Sequence, residues 1–174
     1  MYVLAQIVGI FAMLTLILGY QQKTRKRIIL LNALSTLLYI TEYILLGAFD
    51  GMAIEVVTVF VTLAANRKDR GFVAKNTLLV AIFMELLLAA SGISAYQNYF
   101  SICLILGAVL QTSSFWLTKE KLIRIVSFIS TPFWLVYNLA AEAYGPAVGS
   151  AFVMVSIGIA IWRYDIVPYI GNVK

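Results

Sequence analysis

Asn32, Ser35, Tyr39 and Glu42 follow one another at intervals of three, four and three residues. On a helix that spacing places them on one face, with Thr36 and Tyr43 along its edge. Ser127, Thr131, Trp134 and Asn138 repeat the arrangement later in the chain, and Glu55, Thr58 and Thr62 form a third stripe. Such groups offer hydrogen bonds and ring faces to a small polar molecule, and a carboxylate among them can take up and release a proton. Glu42 and Glu55 flank the short turn Phe49-Asp50-Gly51, so they are expected to face each other and share that proton. Plainer uses stay open. Ser, Thr and Asn commonly bond between membrane helices for about 0.6 kcal/mol each. Glu55 also suits the positive end of its helix dipole, and Glu42 can reach outer headgroups. Glu85 stands alone in mid-helix and is expected to be protonated and bonded to a neighbouring helix.

Other chemistry is excluded by composition. The chain has no histidine and one cysteine, Cys103, which rules out imidazole or cysteine metal sites and any intrachain disulfide. No cofactor or metal is expected. An enzyme would have to work with carboxylates alone, so the chain reads as a non-enzyme.

The elements that must position these residues are membrane helices. Hydrophobic residues make up 62% of the chain, charged ones 12%, and the mean hydropathy is +0.93. Those values do not fit a water-soluble domain, whose apolar share is about 45–50%. Apolar runs fall near residues 3–20, 28–48, 52–66, 77–92, 98–117, 125–141 and 146–162. Each approaches the roughly 17–25 residues that cross about 30 Å of hydrocarbon, so seven transmembrane helices are expected in one membrane domain, residues 1–174. Lys23, Arg25, Lys26 and Arg27 lie in the first gap, Arg67, Lys68, Arg70 and Lys75 in the third, and Lys119, Lys121 and Arg124 in the fifth. Arg163 and Lys174 follow the last run, and the even-numbered gaps hold no basic residue. The positive-inside rule then places the N-terminus outside and the C-terminus in the cytoplasm. With these charges in short loops against lipid headgroups, nucleic acid is not an expected partner. Met1-Tyr2-Val3-Leu4 carries no basic residue ahead of the first run, which reads as a retained anchor. Tyr2, Tyr20, Trp116, Trp162 and Tyr164 sit at span ends, as interfacial anchors do.

The chain also repeats itself. An offset of 94 residues sets Thr24-Arg25-Lys26-Arg27 on Thr118-Lys119-Glu120-Lys121, Gly51 on Gly145 and Thr62 on Ser156. Around Pro132 the better offset is 95, with Tyr39 on Trp134 and Tyr43 on Asn138. Spans one to three overlay spans five to seven, and the fourth stays unpaired. The expected architecture is all-α: two parallel three-helix bundles, residues 3–66 and 98–163, joined by a linker helix at 77–92.

Leu4-Ala5-Gln6 with Val8-Gly9-Ile10, Leu45-Leu46-Gly47-Ala48 followed by Gly51, and Ser130-Thr131 with Trp134 and Asn138 together resemble the YgjV-type bacterial inner-membrane proteins over most of the chain. The three-one-three plan in turn resembles SWEET sugar transporters and PnuC vitamin transporters, which implies alternating access by rocking of the two bundles. SWEET-type proteins carry hinge prolines in both bundles, whereas here Pro132 is the one membrane-embedded candidate. They also tend to place asparagines where this chain has Thr58, Thr62 and Ser156. The resemblance therefore implies the fold without a sugar substrate.

These features point to a small-solute carrier of the bacterial inner membrane. Asn32, Tyr39, Trp134 and Asn138 are expected to line the route, with Thr62 and Ser156 opposite and Glu42 or Glu55 exchanging a proton. With no basic residue in the core, a small uncharged or weakly charged polar solute fits. The alternative is a non-transporting receptor or assembly partner with the same bundle. Its partners are the lipid bilayer and the solute, and the sequence leaves a homodimer open.

Overall fold

The computed structural model describes residues 2–46, 49–94, 96, 98–140 and 144–167. Met1, Gly47, Ala48 and Lys174, all used in reading the sequence, lie outside the described residues. Among those described the chain is all-helical: α1 Tyr2–Tyr20, α2 Arg25–Leu46, α3 Phe49–Asn66, α4 Gly71–Lys75, α5 Thr77–Ser94, α6 Ser101–Phe115, α7 Glu120–Ala140 and α8 Tyr144–Ile161. A π-helical turn, Trp162–Ile166, continues α8.

Five helical segments, drawn from α1, α2, α5, α7 and α8 with its π-helical turn, are long and apolar enough to cross a bilayer. The apolar parts of α3 and α6, Met52–Asn66 and Ser101–Phe115, are shorter. Three expectations are corrected here. Phe49, Asp50 and Gly51 do not form a turn but begin α3. Asn98–Phe100 precede α6 instead of opening it, and the loop before α5 contains the five-residue helix α4.

Small residues decide how closely the helices approach. On α1 the buried positions Ala5, Ala12 and Gly19 recur every seven residues, while Ile7, Ile10, Phe11, Leu14 and Leu18 are exposed on its other sides. That small face packs on α2, the most extensive pairing of α1. Ser35 Oγ donates to the Ala12 carbonyl across the seam at 2.7 Å. A methyl group at Gly19 would lie 3.2 Å from Leu31 Cβ.

The helices α1, α2 and α3 pack in chain order, as do α6, α7 and α8. The two runs meet through α1 against α8 and α3 against α6, and α5 lies against both α3 and α6.

Every described basic residue lies at one end of the assembly, and several are structural there. Arg25 Nε donates to the Leu117 carbonyl at 2.8 Å, and its Nη2 to the carbonyls of Ala65 and Phe115 at 2.7 and 2.5 Å. α2 opens on Arg25-Lys26-Arg27, the wrong sign for a helix N-terminus. The compensation comes from the other run: Glu120, in the first turn of α7, accepts the Arg25 backbone N–H at 3.1 Å. Lys68 Nζ donates to the Trp116 carbonyl at 2.7 Å. Burial, reinforced by the nearby Arg25 charge, pulls its pKa below the ordinary lysine value, against the opposing pull of Asp69. The Tyr164 ring lies 5.8, 5.1 and 5.3 Å from the charged groups of Lys23, Arg124 and Arg163.

Candidate functional site

A cavity of about 110 Å³ opens between the two helix runs. Its floor, towards the basic end, is closed by side chains that reach across from both. Gln111 on α6 donates to the Tyr20 hydroxyl on α1 and, at 3.4 Å, to Asn32 Oδ1 on α2. Ser130 Oγ on α7 donates back to Gln111 Oε1 at 2.7 Å. One amide thereby ties α1, α2 and α7 together. Beneath it Ile28, Ile29, Phe115, Ile123 and Ile157 are at most 1% exposed and pack as an apolar plug with Tyr20.

The walls are the polar stripes. α2 contributes Asn32, Ser35, Thr36, Tyr39 and Tyr43, α3 Glu55 and Thr58, and α7 Thr131, Trp134 and Asn138. From α8 come Pro146, Gly149, Ser150 and Val153, and Asn138 Nδ2 donates to Ser150 Oγ at 3.2 Å. Gly107 gives Trp134 its place: a methyl group there would lie 3.0 Å from the indole Cδ1 and 3.1 Å from Nε1.

A second cavity of about 80 Å³ adjoins the first between α1 and α8, lined by Gln6, Gly9, Ile10, Met13, Tyr39, Glu42, Pro146 and Gly149. Tyr39, Pro146 and Gly149 line both. The Glu42 carboxyl rests on the bare backbone of Gly9, where a methyl group would collide with it.

Of the residues singled out in the sequence, Asn32, Tyr39, Trp134, Asn138 and Glu55 therefore meet at one cavity. Glu42 does not face Glu55 there. It points to the α1 side of α2 and lines the adjoining space, so the two carboxylates are separated by Tyr39's shared wall. Thr62 and Ser156 lie outside both linings. The Thr62 hydroxyl donates to the Thr58 carbonyl of its own helix at 2.7 Å. Ser156 is engaged by Gln21, whose Nε2 donates to its Oγ at 2.9 Å and to its carbonyl at 2.7 Å, which pins α8 to the end of α1. Glu85 is bonded to a neighbouring helix, accepting from Thr112 Oγ1 at 2.8 Å and from Trp116 Nε1 at 3.2 Å.

Sequence periodicity missed Gln111, the only amide in the part of the apolar run that became α6, Ser101–Phe115. Its isolation in that run was the available signal. Tyr20, read as an interfacial anchor, is buried under the cavity, and Trp116, half-buried at the end of α6, donates to Glu85. Tyr2 and Trp162, by contrast, are 70% and 60% exposed. Arg124, read only as a topology signal, is buried.

Comparison with characterised proteins and with solved structures gives no match. The model of one family, described as bacterial inner membrane protein, matches residues 3–166, nearly the whole length over which the helices and both cavities are built. The apolar helices agree with that description, and the chain belongs to the Imp-YgjV family of bacterial inner membrane proteins.

Proposed function

We propose that this protein is a small-solute carrier that works by alternating access, with α1–α3 and α6–α8 as two three-helix units rocking about α5, as in the SWEET and PnuC plan. The observation that carries this reading is the polar cavity walled by both units and stopped at the basic end by the Gln111 network and its apolar plug. A carrier needs a site that neither unit completes alone, and this one takes α2 and α3 from one side and α7 and α8 from the other. By the positive-inside rule the basic end faces the cytoplasm, which puts the cavity in the outer half and the plug on the inner side. Asn32, Tyr39, Trp134 and Asn138 contact the solute, and Glu55 or Glu42 exchanges a proton during the cycle. No covalent chemistry is assigned to the site.

Purified protein screened by thermal shift against sugars, nucleosides, vitamins and amines tests this, because a ligand of the folded state raises its apparent stability. A hit lost in Trp134→Ala or Asn138→Ala, and accumulated by proteoliposomes, supports a carrier. A hit that binds at these residues without being accumulated supports a receptor instead.

A further inference from the structure

The charge balance of the cavity says more about its ligand than its size does. Glu55 is 9% exposed, lines the cavity, and has no hydrogen-bond or ion-pair partner among the described residues. A buried charge without a partner is strongly disfavoured, so this carboxyl holds its proton until a cation enters the cavity, and a bound counter-charge is what stabilises it as a carboxylate. The chain does not supply one. No basic residue lines either cavity; half-buried Arg25 and buried Lys68 and Arg124 are held at the basic end by backbone carbonyls and Asp165. Three aromatic side chains, Tyr39, Tyr43 and Trp134, line the same space as Glu55. A carboxylate beside several aromatic rings is the arrangement that favours alkylammonium groups, whose diffuse charge sits against ring faces. An anion would find no basic side chain in the lining and would be repelled by an ionised Glu55. Calcium or magnesium would need more oxygen ligands than one carboxylate and scattered amides provide.

We propose that the ligand of this cavity is a small organic monocation, an amine or quaternary ammonium ion, held by the Glu55 carboxylate and the rings of Tyr39, Tyr43 and Trp134. This rests on the cavity being the solute site and deepens the carrier reading by naming the substrate class.

The test uses the full-length purified protein and a graded panel of ammonium ions, from methylammonium through choline to tetraethylammonium. Each is paired with its uncharged carbon isostere, such as 3,3-dimethylbutan-1-ol for choline. At least one ammonium ion is expected to bind while its isostere does not. Glu55→Gln and, separately, Trp134→Leu are each expected to weaken that binding about tenfold or more. Because the two variants alter different helices, a folding failure in one leaves the other to decide. Equal binding of the isostere, retained affinity in a folded Glu55→Gln variant, or no binding by any ammonium ion overturns the proposal. Uptake of the same panel and of neutral solutes into proteoliposomes separates the two ideas. An ammonium ion that binds but is not accumulated upholds the cation site and sinks the carrier. A neutral solute accumulated by protein that binds no ammonium ion does the reverse.

Discussion

Arg124 Nη1 donates to both carboxylate oxygens of Asp165, at 2.9 and 3.0 Å, while its Nη2 reaches the Gln22 carbonyl at 2.8 Å. One guanidinium thus joins the start of α7, the π-helical turn after α8 and the loop between α1 and α2. The pair is buried, with side-chain exposures of 2% and 8%.

Removing the acid should leave a buried, uncompensated charge. Asp165→Ala is expected to cost about 3–5 kcal/mol, read as a fall in the denaturation midpoint of the detergent-solubilised protein. A cost under about 1 kcal/mol would mean that the pair is as weak as a solvated one.

Arg25 offers a contrast at the same end. Its guanidinium serves three carbonyls in different directions, a geometry that an ammonium does not reproduce. Arg25→Lys should destabilise by about 1.5–3 kcal/mol. Asp69, 76% exposed and 3.9 Å from Arg25, should be nearly dispensable, with Asp69→Ala changing stability by less than about 1 kcal/mol. Equal costs for the two variants would contradict this ranking.

Gly107→Ala should force the rigid Trp134 ring to move, costing about 1–3 kcal/mol through overpacking. In a Trp134→Leu background the same change should cost markedly less, since the flexible leucine relieves the clash. Additive effects in that double-mutant cycle would show that the two residues are not coupled.

Gly9→Ala meets the end of a flexible side chain, the Glu42 carboxyl, so the protein should fold with stability within about 0.5 kcal/mol of the parent. If Glu42 exchanges the proton, displacing its carboxyl should flatten the pH dependence of uptake in proteoliposomes as Glu42→Gln does. The double variant should then be no worse than either single one. An unaltered pH profile in both single variants would remove Glu42 from the coupling.

The apolar runs, the basic ends and the inward stripes were legible in the sequence because each is a local property. A bilayer demands about twenty apolar residues per crossing, and helical periodicity alone places Asn32, Ser35 and Tyr39 on one face. The carboxylates Glu42 and Glu55 were recognisable as unusual for the same reason. Which groups those faces would meet was not legible. Thr62 shares the stripe of Glu55 and Thr58, yet it turns its hydroxyl to its own backbone. Ser156, paired with Thr62 by the repeat, is taken by Gln21 from the turn after α1, far away in sequence. Glu42 and Glu55 lie in adjoining cavities because α1 presents a glycine where Glu42 needs room. Gln111 matters only once α6 is set beside α1, α2 and α7. The sequence by itself determined an all-helical membrane protein with polar faces turned inward, since hydropathy and helical period act over a few turns of one chain segment. Tertiary structure alone decided that these faces enclose a cavity floored by Gln111 and stopped by buried aromatic and aliphatic side chains, because helix rotation and neighbour choice are set by contacts between segments about a hundred residues apart.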